Sequence, residues 1–461
     1  MSLVLPFACR RRPLALLLAG LCAGSPIAAE AATLYPTVAA LKPATPASTL
    51  VVSNCEDSGA GSLRQAINDA DTGDTVDLTQ LSCSTITLTS GAIVMGQADL
   101  ALVGPGENAL TLAGGSAGAG VLYDLGSGGT LHLSGMSIVD GDKYRSDVDP
   151  RGGCVHVEGN VVLYHVAVGN CTARGVGSYV AKGGGVYSGG LTYLDNSRVT
   201  GNSATHSGGG FASGGGVYAQ GGFQSNFSTV SGNNATSLSA SAAFGGGVFA
   251  RSASTVLDST IADNQSSFKG GGLALAAVDG SSEVVLNSTV SGNEAQLMAG
   301  MYARGPLTLD SSTIAFNTAT ASVNGGGIVV GAGLQFYDTT AITSTIIASN
   351  VADRPFDEIA APAATVLTGS HNLFDSPSTS VVYPSDTIIG DAFLLPLQDN
   401  GGVTRTHALG SESPAIDAGT NPDSFANDQR GNGFPRSVGA ATDIGAYESN
   451  PDVIFANGFE G

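Results

Sequence analysis

Apolar and polar positions alternate over short stretches through most of this chain, and the alternation restarts each time after a glycine run or a Ser-Thr phrase. Gly183-Gly184-Gly185-Val186-Tyr187 is followed by Gly214-Gly215-Gly216-Val217-Tyr218, Gly245-Gly246-Gly247-Val248-Phe249, Gly270-Gly271-Gly272-Leu273 and Gly325-Gly326-Gly327-Ile328. Gly152-Gly153-Cys154-Val155-His156 and Gly300-Met301-Tyr302 are weaker copies. Between them runs a second phrase, Ser-Thr-(Val/Ile) closing on Asn233, Asn264, Asn293 and Asn317, with looser versions ending at Asn170, Asn202 and Asn350. The period of roughly 24 to 33 residues is that of a solenoid, whose units bury an apolar face only by stacking on one another.

Period-two patterning and β-branched residues make the units strands; nothing here spaces apolar residues at helical intervals. The expectation is an all-β, right-handed parallel β-helix. Val186, Val217, Val248, Leu273, Met301 and Ile328 would form one interior column, and Val199, Val230, Ile261, Val290 and Ile314 another. Leu257, Ser259 and Ile261 are placed on one side of their strand, with Asp258, Thr260 and Ala262 on the other. Glycine and asparagine suit corners that need positive φ, and stacked asparagine amides can bond along the axis. One helix is expected: Ser62 and Gln65 fit a capping box, and Leu63, Ala66, Ile67 and Ala70 an apolar face that plugs the N-terminal end.

With 66 glycines and no tryptophan, the composition suits a thin ladder core, and the 12% of charged residues is too few for a disordered polar chain. Arg10 to Arg12, the apolar run Leu14–Leu21 and Ala29-Glu30-Ala31 read as a secretory signal peptide over 1–31, too short in its apolar part to span a bilayer. Its removal leaves 15 basic and 37 acidic residues, a net charge of about −22, which argues against nucleic acid and anionic lipid as partners. The expected location is therefore secreted or at the outer surface, without a transmembrane segment. Four cysteines remain, an even number in an exported chain, which favours disulfides over metal. Of three pairings, Cys55 with Cys83 and Cys154 with Cys171 fit best: the first are neighbours in sequence, and the second flank one inter-turn loop.

Along the chain, 32–49 reads as a flexible lead-in, 50–115 as the N-terminal cap and first turns, 116–393 as the repeats, 394–448 as a C-terminal cap and 449–461 as a tail. Cys55-Glu56-Asp57-Ser58-Gly59-Ala60-Gly61-Ser62-Leu63-Arg64-Gln65-Ala66-Ile67 resembles the CSLREA-type N-terminal segment of bacterial surface β-helix proteins. The Gly-Gly-Gly-Val phrases and Ile314-Ala315-Phe316-Asn317 resemble the repeats of polymorphic outer-membrane proteins. Leu395 to Leu409, Ser413-Pro414-Ala415-Ile416-Asp417-Ala418-Gly419, Asp428-Gln429-Arg430-Gly431 and Asp443-Ile444-Gly445-Ala446-Tyr447-Glu448 resemble the C-terminal part of choice-of-anchor Q domain proteins. The resemblances imply a secreted or surface bacterial β-helix protein with no single agreed activity. No barrel of alternating strands follows Glu448, so anchoring through a self-made barrel is not expected.

Four groups of residues bear on chemistry. Asp140, Asp142, Asp147 and Asp149 lie in one loop and offer oxygens to Ca²⁺, the only cofactor suggested, while Lys143, Arg145 and His156 supply acid–base groups beside them. Tyr187, Tyr218, Phe249 and Tyr302 follow the inward residue of successive repeats, with His156 and Ala274 in the same column. If that column faces out it is an aromatic strip for stacking on glycans; a one-residue slip would make it an interior stack. Asp195, Asp258 and Asp310 sit near one strand without a shared column, and outward positions carry Thr229, Thr260, Thr289 and Thr313, so no catalytic residues are assigned. Asp417, Asp428, Arg430, Arg436, Asp443 and Glu448 read as mutually satisfied charges over the solenoid's end. The leading expectation is adhesion or envelope contact with glycans or surface proteins, and the alternative is a carbohydrate-active enzyme, a polysaccharide lyase or glycoside hydrolase.

Overall fold

The computed structural model describes residues 47–450 apart from 116–117, 125, 127, 239–241, 321–332, 353–358, 362–364 and 379–380. The expected signal peptide, most of the lead-in and tail, and the Gly325–Ile328 repeat lie outside the described residues. The chain winds into a parallel β-helix with three long sheets, of 21, 10 and 11 strands, in which each turn adds strands to the turn before. Among the described residues no helix is long and apolar enough to cross a membrane.

Both predicted interior columns form. In the ten-stranded second sheet, Val186 pairs in register with Val217, and so on through Val248, Leu273 and Met301. Leu334 then stacks on Met301, the expected Ile328 lying outside the described residues. In the first sheet Val199, Val230, Ile261, Val290 and Ile314 stack in order, and Ile347 follows. All of these side chains are fully buried, and burial of each stabilises by about 1.5 to 3 kcal/mol relative to exposure.

The corners are built differently from the expectation. At one corner of successive turns from Gly135 onward a residue enters the left-handed region, as at His165 (φ 52), Asn196 (φ 49), Phe227 (φ 44), Asp258 (φ 48) and Asn287 (φ 46). This reverses the alternation, so Val256 points inward, Leu257 outward, and Ser259 and Ile261 inward. At the next corner the left-handed residue is Gly201, Gly232, Asp263 or Gly292, one position before each asparagine. The asparagines therefore form an inward ladder without adopting positive φ themselves. Asn233 Oδ1 accepts from Asn202 N at 3.0 Å and Asn202 Nδ2 at 2.9 Å, and Asn264, Asn293, Asn317 and Asn350 repeat the pattern. Inward Ser228, Ser259, Ser288 and Ser312 do the same at the first corner. Sharp corners withdraw backbone groups from the sheet ladders, and the two polar ladders satisfy them inside the core.

Cys171 occupies the first rung of the asparagine ladder, with Asn170 (φ 57) as its corner residue, and is bonded to Cys154 at a Cα separation of 5.5 Å. Cys55 and Cys83 form the other disulfide. The helix spans Leu63–Asp69 with Ser62 as N-cap; Leu63, Ala66 and Ile67 are buried and belong to the main core. Only half of the capping box forms, because the Gln65 amide donates to Asp69 at 2.7 Å instead of turning back to the cap.

The largest departure is at the C-terminus. Residues 394–448 lie along the side of the solenoid, over the outward column Thr260, Thr289, Thr313 and Ile346 of the first sheet. Thr260 Oγ1 donates to Arg405 O at 2.6 Å, Thr289 Oγ1 to Gln429 Oε1 at 2.6 Å, and Ala446 N to Thr313 Oγ1 at 3.1 Å. Ile346 and Leu373 meet Ala408, Leu409, Ala415, Ile444 and Tyr447 in a second small core. The segment is a lateral strap over several turns.

Candidate functional site

The aromatic column faces outward, since Tyr187 and Tyr218 alternate with the buried Val186 and Val217 along the second sheet. Register aligns Tyr123, His156, Tyr187, Tyr218, Phe249, Ala274 and Tyr302. Yet Tyr187 and Tyr218 are only 3% and 4% exposed. Tyr187 stacks on Tyr218 at 5.5 Å between centroids, Tyr218 stacks on Phe249 at 5.1 Å, and His156 sits edge-on between Tyr123 and Tyr187. Cations lie over the rings: Lys143 Nζ is 4.5 Å from Tyr123, Arg151 is 5.0 Å from Tyr187, Lys182 Nζ is 5.8 Å from Tyr218 and Lys269 Nζ is 5.7 Å from Tyr302. Sugar stacking needs a free ring face, whereas Tyr187 and Tyr218 give theirs to neighbouring rings and cations. Tyr302 stands apart beyond Ala274, against Tyr337.

The acidic loop is distributed among separate partners. Asp142 takes both forks of Arg174, Asp147 both forks of Arg145, and Asp149 accepts from Lys182 Nζ at 2.7 Å and Val180 N at 2.8 Å. The Arg145 bonds hold the Asp147 carboxyl below its ordinary range. Burial pushes the Asp149 carboxyl up, but Lys182 and Val180 outweigh it. Asp140 is a positive-φ corner. The four carboxylates do not converge, and among the described residues no three metal-ligating side chains cluster.

One arrangement escaped the sequence reading. His156 Nε2 lies 2.9 Å from Glu158 Oε1, and Arg151 Nη1 donates to that same oxygen at 2.8 Å. His156 Nδ1 has no partner, and burial pushes the imidazole down to about 4, so it is neutral near pH 7. Lys143 is lowered by burial as well, with Nζ on Ala119 O at 3.1 Å. Glu158 stands two residues after His156 on the same strand end, a spacing with no motif behind it.

On the first sheet, register puts Asp195 in one column with Asn226, Leu257, Leu286 and Asp310, so Asp195 and Asp310 do share a column, four turns apart. Asp258 belongs to the adjacent corner column. Burial pushes both Asp258 and Asp310 up to about 7. Both approach the strap, which brings its own charges: Arg430 is forked on Asp428 between the rings of Phe434 and Tyr447, and Arg436 is fully buried near Glu448. Asp417 caps Ala440 N and Ala441 N. Most of these groups are partnered as expected of a cap, but on the side of the solenoid, and Arg436 Nε and Nη1 are left without a hydrogen bond.

No family model matches the chain, and no curated protein matches it. The fold is similar to the crystal structure of pectate lyase Pel9A, at 12% identity and a TM-score of 0.40 over 88% of this chain and 97% of that one. That likeness carries nothing about the chemistry of this chain. The class defined here is thus a disulfide-bearing parallel β-helix with a lateral C-terminal strap.

Proposed function

We propose that this is an exported surface protein that acts by contact, in adhesion or envelope interaction, without catalysis. What supports the reading is the ridge formed by the loops that interrupt the third sheet. Tyr144 and Val148 are 48% and 49% exposed on one turn, Phe211 is 48% exposed two turns on, and Leu238 is 78% exposed on the turn after that. Large apolar side chains repeated at solvent-facing loop tips, flanked by the Asp142–Arg174 and Asp147–Arg145 pairs, make a mixed apolar and charged contact surface. The aromatic column and the first sheet's outer face, by contrast, are spent on internal packing. The partners proposed are glycans or proteins of another surface. A glycan array and a pull-down against isolated envelopes should show binding that falls at least about tenfold in Phe211→Asp/Leu238→Asp. Binding unchanged by that double substitution would remove the ridge from the account.

A second reading, a polysaccharide lyase or glycoside hydrolase, would take its acid–base groups from His156, held by Glu158, and from Lys143 beside it, and would need the buried His156 Nδ1 to be uncovered for the substrate. Release of unsaturated or reducing ends, abolished by Glu158→Gln or Lys143→Ala, would establish it in place of the contact reading.

A further inference from the structure

The strap is held to the solenoid without a covalent bond of its own, since both disulfides lie in the first turns. Its seam with the first sheet is unusually rich in carboxyls. Asp258 and Asp310 come from the solenoid and Asp423, Asp428, Asp443 and Glu448 from the strap, while the buried cations between them are Arg430 and Arg436. Like charges face each other across the seam: Asp258 opposes Asp428, and Asp310 opposes Asp423 as well as Arg436. Arg430 is fully engaged, and Arg436 is engaged through Nη2 while its Nε and Nη1 have no hydrogen-bond partner. Arg430 is forked on Asp428 and donates to Glu448 O at 2.6 Å, and Arg436 donates to Asp443 O and Gly445 O, with Glu448 at 3.6 Å.

We propose that residues 394–449 form an acid-set clasp, a strap that lies closed on the first sheet while its surplus carboxyls carry protons and loosens as they lose them. With every group ionised the seam holds four more negative than positive charges. Protonation of four carboxyls brings it to neutrality, and four are displaced in that direction: burial pushes Asp258, Asp310 and Glu448 each up to about 7 and raises Asp423 as well. A carboxyl raised in the docked state favours docking fully below its free value of about 4, and that contribution is lost as pH rises through about 7. One group works the other way. His407 packs into the seam with Nε2 at 2.8 Å from Ser291 Oγ and Nδ1 at 2.6 Å from Leu395 O. Burial lowers it, so docking is favoured above about 6.5 and loses that contribution as pH falls. Its charged neighbours, Arg405 and Asp263, are paired with each other at the exposed rim at 3.1 Å. Four carboxyls outnumber one imidazole, so the strap is tighter in weak acid than in weak base.

Hydrogen exchange of strap peptides in the full-length protein, corrected for the intrinsic pH dependence of exchange, reads the opening directly. Between pH 5.5 and 8.5 the opening equilibrium should grow at least about tenfold in the strap and less than about threefold in the second sheet. Asp258→Asn/Asp310→Asn keeps the shape and removes two of the titrating groups, so the strap's increase should fall at least about tenfold below that of the wild type. Asn tolerates the positive φ of position 258. Asp147→Asn/Asp279→Asn, which neutralises two carboxylates far from the seam, should keep the wild-type profile. A strap whose opening is flat with pH, a seam variant that keeps the full response, or a distant variant that loses it equally would each overturn the clasp. Should the seam double variant fail to fold, Glu448→Gln reads the same titration from the strap side, and an undiminished response there is equally fatal.

Discussion

Asn264→Ala should destabilise the middle of the solenoid more than any surface substitution. Its amide oxygen accepts from Asn233 N at 3.0 Å and Asn233 Nδ2 at 2.9 Å, and its amide nitrogen donates to Val230 O at 2.9 Å and Asn293 Oδ1 at 3.0 Å. Two of these four partners keep another bond, since Asn233 Nδ2 also reaches Val199 O and Asn293 Oδ1 also takes Asn264 N. Of the other two, Val230 C=O keeps its ladder bond to the next strand, whereas Asn233 N–H, a buried backbone donor, would be left bare. At about 1 to 3 kcal/mol for a buried group left unsatisfied, the loss is about 1 to 3 kcal/mol. Asn264→Asp preserves both acceptor bonds but sets a carboxylate oxygen against Val230 O, so its cost should increase with pH as the buried acid ionises. Because each turn contacts only its neighbours, the damage should be confined to adjacent turns. Native-state hydrogen exchange is the appropriate assay, as a long solenoid need not unfold in one step. An opening free energy changed by less than about 1 kcal/mol at Val230 to Asn293 would refute the claim that the ladder completes the backbone's hydrogen bonding.

Two further outcomes follow from the same geometry. Thr289→Val leaves Gln429 Oε1 without its donor at a buried strap contact, which should loosen the strap by about 1 to 3 kcal/mol in exchange experiments while the second sheet stays unchanged; equal protection would show that the strap docks without this bond. Cys154→Ser/Cys171→Ser removes a link over a sequence separation of 17 and should cost about 3 kcal/mol, lowering the melting temperature, whereas non-reduced peptide maps lacking the Cys154–Cys171 species would contradict the pairing.

The interior of this protein was legible because stacking imposes one demand on every turn. Val186, Val217 and Val248 must match in size and polarity, and so must Asn202, Asn233 and Asn264, which makes both columns visible as repeats. The disulfides were legible from position for the same reason. Corner conformation was not. A left-handed residue at Asp258 or Phe227 has no composition in common with its neighbours in the column, since a tight corner constrains φ and leaves the side chain free to differ. Missing those residues misplaced Leu257 by one step and hid the column shared by Asp195 and Asp310. The Glu158–His156–Arg151 group was hidden for another reason. It is made by one turn alone, so no repeat marks it.

The strap was misplaced because sequence proximity says nothing of a lateral contact. Its bonds join residues far apart in the chain, Asn287 to Asn427 and Thr260 to Arg405, and the partners on the solenoid are the threonines that read as an ordinary outward β-column. Those threonines do serve two purposes at once. Their β-branched form suits the strand, and their hydroxyls supply regularly spaced donors and acceptors to a segment with almost no regular secondary structure of its own. An irregular segment cannot satisfy its backbone through a ladder, so it must borrow partners from a surface that repeats them. This explains why the charged residues of 394–448 gather at the seam rather than at the solenoid's end. There Glu448 accepts from Val438 N and Asp443 N, and Arg436 Nη2 donates to the Asp443 and Gly445 carbonyls, while the threonine column holds the backbone around them.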